Sequence, residues 1–551
     1  MPSQPLPPCP QPRRAPSAHQ RLVRHASTAA AVLATAVLAA CGGGGGGGPV
    51  FIPPIVTPPS PPPPPPPPPP SSRGTLVEPA QSVASFTAKE FGTLLDLDDK
   101  GQALALIAGT PKCGFELQSV HYHTVGGKEE ETTASAALMV PTGSDPACTG
   151  PRPIVMYAHG TTTDRAYDLS RWVNPEQSSA AEGVILAAMF AAQGYIVVAP
   201  NYAGYAQSKL PYHPYLNGTQ QGRDVADSLK AARSVLPLAG ASDSGALLLT
   251  GYSQGGYVAL AAHRELQAMG QSVTASAPLS APSAISLLTD YNFLGWPALG
   301  STIFVPLLST SWQQQFGDVY NSPDLIYESQ YAQGIESLLP SLTPIGDLIA
   351  AGKLPLTALY PANAVPGPLT PELGIFYGAN NLIRQSYLTA AVNDLQARPC
   401  PGNALPPSAG SLANPAALDC QPDNGLRRAA VANDLRNWLP TRPVFFCGGA
   451  DDPTVNFLST QATAGYFAAR GMPQNMLQVL DLEAGNSGEG DPYAAARAGF
   501  AQAKADRYNS TEGDAAVKAE AVIRAYHGTL VPPFCVASAR GFFQGVLAGG
   551  G

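Results

Sequence analysis

The sequence predicts an α/β fold, a mostly parallel central sheet flanked by helices, with a large insertion after the sixth strand. Three observations predict it. Apolar runs of strand length at 153–158, 194–200 and 246–250 read as strands buried on both faces. Stretches of helical spacing at 222–236 and 256–266 lie between and beside them, and strand, helix, strand is the order of a parallel sheet with right-handed crossovers. The third is a sharp turn, Gly251-Tyr252-Ser253-Gln254-Gly255, set between a strand and a helix.

The first 75 or so of the 551 residues are not globular, which leaves one large domain or a domain with a big insertion. Arg13, Arg14, Arg21 and Arg24 precede an apolar run from Ala29 to Ala40 that is too short to span a bilayer. That pattern reads as a signal peptide over residues 1–41. It closes with Leu38-Ala39-Ala40-Cys41, which resembles a bacterial lipobox with Cys41 as the lipid-bearing residue. Ordinary signal cleavage, with Cys41 incidental, is the alternative. Gly42–Gly48 and a stretch from Pro49 to Ser72 holding ten consecutive prolines make residues 42–75 a disordered linker, slack and then stiff. In a lipoprotein that is a stalk; an SH3-type ligand is the reading it competes with. Net charge is -8, 13% of residues are charged and Lys/Arg cluster only at the N-terminus, so nucleic-acid binding has no electrostatic footprint. The expected setting is export, lipid-anchored on the periplasmic or outer face of a bacterial membrane.

Glu116–Thr124 and Thr132–Val140 alternate apolar and polar around Gly126-Gly127-Lys128 and read as an antiparallel hairpin. The 153–158 strand runs into His159-Gly160-Thr161, and the 194–200 strand into Asn201-Tyr202-Ala203-Gly204-Tyr205. Ser272–Pro278 is the sixth strand. Residues 281–438 then break into short apolar pieces separated by Pro and Gly, an expected cap between core segments 76–280 and 439–551. Its Tyr291–Trp296, Phe304 and Trp312 either face the site or form the cap's own core. Arg442–Cys447 and Asn475–Leu480 are the last strands, and Ala537–Leu547 is helix-like.

From about Glu116 to Leu547 these segments resemble the α/β-hydrolase superfamily, and the capped layout with its Gly-Tyr-Ser-Gln-Gly turn looks like secreted lipases and esterases, including the fungal secretory lipase type. The resemblance implies that the turn is a nucleophile elbow, with Ser253 pushed out at the carboxyl edge of the sheet. It implies an oxyanion hole from the amides of Thr161 and Gln254, with His159 structural, and the chain order serine, acid, histidine. Two histidines follow Ser253. His263 lies about three helical turns down the next helix, too far to reach back, which leaves His527 as the base. For the acid, Gly449, Asp452 and Val455 fit the family spacing; Asp451 is the alternative, since adjacent residues point different ways.

Cys9 and Cys41 belong to the export segment, and six cysteines remain. An oxidising compartment favours pairing, and the preferred set is Cys113–Cys148, Cys400–Cys420 and Cys447–Cys535 out of fifteen possible connectivities; free buried thiols are the alternative. No cysteine spacing suits a metal, and no cofactor is expected. The expected activity is carboxylic ester hydrolysis through an acyl-enzyme on small, lipid or polymeric esters. A serine peptidase of the same fold would need acids to hold an amine, for which Asp318, Asp324, Glu328 and Glu336 are candidates. A non-catalytic surface lipoprotein is the third reading. Haloalkane and epoxide chemistry, which uses an aspartate nucleophile in this fold, is disfavoured by serine at 253.

Overall fold

Among the described residues, nine strands form a single mixed sheet in the order β1-β2-β3-β5-β4-β6-β7-β8-β9. The computed structural model describes residues 72–485 and 490–549; the export segment, Cys41 and most of the linker lie outside them. Residues 72–75, assigned to the linker by composition, already bond to the domain: Gly74 N donates to His123 O at 2.8 Å, and Arg73 pairs with Asp227 at 3.0 Å.

β1 (Gln81–Phe86), β2 (Gly114–Val125) and β3 (Glu131–Thr142) pair antiparallel, and β3 joins β5 (Ile196–Pro200) antiparallel as well. From there β4 (Pro151–Ala158), β6 (Ser242–Tyr252), β7 (Ala275–Leu279), β8 (Val444–Gly448) and β9 (Leu477–Asp481) run parallel with β5. Every residue of β5, β7 and β8 is buried, which is why these strands show in the sequence as unbroken apolar runs. β1, by contrast, is an edge strand of mostly exposed and half-buried residues. Its pattern carries too little apolar contrast to be legible in the amino-acid order.

α1 (Ala88–Leu95), α2 (Asp99–Ala108) and α3 (Ala180–Met189) precede the crossover helix α4 (Gly218–Val235) and α5 (Gln254–Ala268). α4 starts four residues before the predicted helix because Asn217 caps it, its side chain accepting from Gln220 N. Between β7 and β8 the chain adds no strand to the sheet. It forms α6 (Ile285–Phe293), α7 (Ser301–Phe316), α8 (Ser329–Ala332), α9 (Ile345–Ala350), α10 (Gln385–Ala397), α11 (Ala409–Leu412) and α12 (Gly425–Asn433). This insertion has a polar skeleton. Arg427, 1% exposed, binds Asp290 at 2.7 Å and Asp394 at 2.6 Å, tying α12 to α6 and α10. α13 (Leu458–Ala469) follows β8; α14 (Ala494–Ser510), α15 (Ala515–Ala525) and α16 (Pro532–Gly549) close the chain. α14 and α15 escape sequence reading because Phe500 is the one buried residue that the pair contains, so neither shows an apolar stripe.

α4 also buries a carboxylate. Asp224 accepts from Tyr122 Oη at 2.7 Å and Ala203 N at 2.7 Å, and burial pushes its pKa up to about 6. A carboxyl whose folded pKa lies above its unfolded one favours folding at low pH, and that contribution disappears as pH rises through about 4 to 6. A carboxyl raised from its ordinary value to about 6 loses roughly 3 kcal/mol of that contribution over this range. Asp224→Asn is therefore expected to gain thermal stability relative to wild type as pH rises from 4 to 7, checked by calorimetric Tm at each pH. A difference in Tm that stays constant across that range contradicts the assignment.

Candidate active site

β4 runs on to β5 on one side of it, and its other neighbour β6 runs on to β7 on the opposite side, so the connections leave these two adjacent strands in opposite directions. A crevice opens at the carboxyl ends of the strands where a sheet does this. Both Ala158, the last residue of β4, and Ser253, the first residue after β6, sit there.

Ser253 takes φ 59° and ψ -121°, a conformation that costs an L-residue on the order of 1–3 kcal/mol. It is held by its own N–H, which donates to Leu279 O at 2.9 Å, and by close backbone contact on both sides. A Cβ on Gly251 would come within 2.4 Å of Ala158 O, and one on Gly255 within 1.9 Å of the same atom. Only glycine lets β4 and the turn approach this closely, and the approach lifts the Ser253 side chain out of the sheet.

His527 reaches that side chain from 274 residues away. Its Nε2 lies 2.8 Å from Ser253 Oγ, and its Nδ1 lies 2.7 Å from Asp452 Oδ2. The other carboxylate oxygen of Asp452 accepts from Thr454 N at 2.9 Å and Val455 N at 3.0 Å, so the carboxylate is anchored by its own turn. Asp451 is exposed. The geometry separates the two aspartates that sequence leaves open: the buried one, Asp452, faces the imidazole.

His527 sits in a π-helical turn, Tyr526–Leu530, between α15 and α16, a local widening common at functional positions. Tyr252 Oη donates to His527 O at 2.6 Å, and Tyr526 Oη donates to Glu483 Oε1 at 2.8 Å. Cys447 at the end of β8 is bonded to Cys535 in α16, which ties the acid-bearing segment to the histidine-bearing one. Cys113–Cys148 and Cys400–Cys420 are the other two disulfides.

Gly160 lies against the turn: a Cβ there would be 3.5 Å from Tyr252 O and 3.9 Å from Ser253 Cβ. The 159–162 loop is held by tyrosines from the segment after β5. Tyr202 Oη donates to His159 O at 2.9 Å, Tyr205 Oη donates to Thr162 O at 2.7 Å, and Tyr215 Oη meets Thr161 Oγ1 at 2.8 Å. His159 is fully buried, stacks on Tyr202 at 4.1 Å and is held below its usual pKa by burial, which suits a structural role. Gln254 opens α5, where the first N–H groups of a helix have no partner in the helix. Its side-chain amide donates to His213 Nε2 at 2.6 Å, while His213 Nδ1 donates to Ala203 O at 2.9 Å. Burial pushes His213 down to about 3, so the ring stays neutral and keeps accepting from Gln254. Tyr202 and Tyr205 lie in the 201–205 segment singled out from sequence, though with no role given to them, whereas His213 and Tyr215 carry no motif signal. His263 is buried on α5 with Nδ1 2.8 Å from Ser276 Oγ.

Ser253 lines a cavity of about 670 Å³ whose walls are mainly apolar. Tyr291, Phe293, Trp296, Phe304 and Trp312, read from sequence as either a site-facing surface or an internal core, all line it. They also pack among the insertion's other buried residues, so the two readings describe one wall. The carboxylates lining the cavity are Glu372, Asp451, Asp452 and Glu520. The acids considered for holding an amine point elsewhere: Asp318 pairs with Arg428 at 3.0 Å, Glu336 accepts from Tyr320 Oη, Glu328 lies 3.9 Å from Arg384, and Asp324 closes a turn with Ser322. Among the described residues no group of three or more His, Cys, Asp or Glu is arranged to hold a metal.

The secretory lipase family matches residues 177–269, the stretch from the start of α3 to the end of α5. No curated protein matches the chain. Among solved structures, a ligand-bound form of the rice cell wall degrading esterase LipA from Xanthomonas oryzae is 22% identical, with a TM-score of 0.62 over 86% of this chain and 98% of that one. A putative hydrolase from Legionella pneumophila is 18% identical, with a TM-score of 0.58 over 86% of this chain and 98% of that one. The chain thus has the α/β-hydrolase fold, and the family match falls on the segment that carries the Ser253 turn.

Proposed function

We propose that this protein is a serine carboxylic ester hydrolase that works through an acyl-enzyme on esters with an extended apolar acyl group. The observation that carries the reading is the unbroken line from Ser253 Oγ to His527 Nε2 at 2.8 Å and from His527 Nδ1 to Asp452 at 2.7 Å, opening on an apolar cavity. A serine hydroxyl is a weak nucleophile near neutral pH, and an imidazole placed to take its proton removes that barrier. Asp452 holds Nδ1–H and so keeps Nε2 free to act as base. Ser253 attacks the ester carbonyl, His527 passes the proton to the leaving alcohol, and water then releases the acid by the reverse path. The amides of Gln254 and Thr161 are the donors for the oxyanion, each worth about 3 kcal/mol of barrier by analogy with single-donor removals elsewhere.

The apolar walls favour acyl chains over peptides, whose amides would lose their hydrogen bonds to water there. Esterase chemistry, named for the Xanthomonas neighbour, agrees with this reading. In the same reading the 281–438 insertion is a cap over the site, residues 72–280 and 439–551 are the core, and the 1–41 segment exports the chain and anchors it through Cys41, with 42–71 as the stalk.

The reading is tested by fluorophosphonate labelling with peptide mapping, run beside turnover of p-nitrophenyl esters from acetate to palmitate and of aminoacyl anilides. Label on Ser253 and ester turnover are expected. Faster turnover of the anilides would favour a peptidase, and no label and no turnover would favour a binding protein. The cavity gives a further expectation. Leu308→Trp, which fills the wall, should lower kcat/KM for palmitate about tenfold, the loss of contact with about two methylenes, and leave acetate nearly unchanged. Equal losses for both would place the acyl chain elsewhere.

A further inference from the structure

We propose that the side-chain hydroxyl of Thr161, and not its amide alone, donates to the oxyanion, and that Tyr215 orients it to do so. The inference rests on the ester-hydrolase reading and deepens it. Tyr215 is 4% exposed and its hydroxyl meets Thr161 Oγ1 at 2.8 Å. A buried phenol O–H needs an acceptor, and among the described residues Thr161 Oγ1 is the one that Tyr215 Oη meets. Either hydroxyl could donate in this pair; the phenol is the more acidic of the two and so the better donor, and we take Tyr215 to donate and Thr161 to accept. A hydroxyl that accepts through one lone pair keeps its own hydrogen to give away, and no acceptor for it is present among the described residues. The adjoining Gly160 packs on Ser253, and Tyr215 lines the same cavity as Ser253. The charge that develops on a substrate carbonyl attacked by Ser253 falls beside this loop, and it is the acceptor that the Thr161 hydrogen lacks. A donor polarised by a second hydroxyl is strengthened for that purpose.

Tyr215 also stacks on Phe304 of α7 at 6.5 Å. The residue that orients the donor is thus part of the wall an acyl chain would touch.

The test compares Thr161→Val, which keeps the amide and nearly the shape, with Thr161→Ser and Tyr215→Phe. The readouts are kcat and KM for p-nitrophenyl hexanoate and the Ki of an alkyl trifluoromethyl ketone, which forms a tetrahedral adduct at the serine. Valine is expected to lower kcat on the order of 100-fold, with KM within about threefold and a parallel rise in ketone Ki, as for loss of one oxyanion donor. Serine should stay within about tenfold of wild type, and Tyr215→Phe should lose about tenfold in kcat and in ketone affinity, since the donor remains but is no longer oriented. A valine variant within about threefold of wild type on both measures overturns the proposal, as does an unaffected Tyr215→Phe if the valine variant does not fold. Wild type that takes no fluorophosphonate at Ser253 defeats the ester-hydrolase reading itself; labelled wild type with an indifferent valine variant defeats only the role of the hydroxyl.

Discussion

Ser253→Ala is expected to lower kcat for p-nitrophenyl esters on the order of 10⁶-fold, His527→Ala to do nearly the same, and the double variant to be scarcely worse than either. The reason is that in the proposed mechanism the two side chains are one device. Ser253 Oγ and His527 Nε2 are 2.8 Å apart, so removing the base leaves a hydroxyl that is protonated at neutral pH, and removing the hydroxyl leaves a base with nothing to activate. The fold should survive. Ser253 is held by its backbone, through the bond to Leu279 O and the glycine contacts with β4, and alanine keeps those; Tm within a few degrees of wild type is the control. Multiplying losses in the double variant would mean that the two residues act independently, and the proton-transfer step would then be wrong.

Asp452→Asn is expected to cost on the order of 10⁴-fold in kcat, whereas Asp451→Asn should stay within about threefold. An asparagine at 452 can present its NH₂ to His527 Nδ1, which favours the tautomer with the proton on Nε2, the wrong place for a base. The neighbouring aspartate is exposed. Steady-state kinetics on purified variants decides this, with intact disulfides confirmed by thiol titration. The reverse order of effects would move the acid to Asp451.

The parts legible in sequence were those whose cause is local. The 251–255 turn could be read because a strand-to-helix bend this sharp requires glycine at two fixed offsets, and the parallel strands because burial on both faces leaves nothing but apolar residues. Boundaries drifted where a cap or a turn decides them: β5 begins at Ile196 because Gly194 still lies in a left-handed turn at φ 97°, and Gln474–Met476 form a 3₁₀ turn before β9. Tyr202 and Tyr205 stood in a segment that the sequence singled out, but which carbonyls they and Tyr215 hold was not legible, since a buried tyrosine in sequence is simply a core residue.

By itself, then, the amino-acid order determined that a serine stands at a strained bend in an α/β sheet, and which residue types were available to serve it. Which aspartate faces His527, how Tyr202, Tyr205, Tyr215 and His213 hold the loop and Gln254, and that residues of the 281–438 segment line a cavity of about 670 Å³ together with Ser253 were decided only in the tertiary structure. These are contacts between residues tens to hundreds of positions apart. Their geometry depends on how whole elements pack, and no pattern with a period of two or 3.6 residues records it.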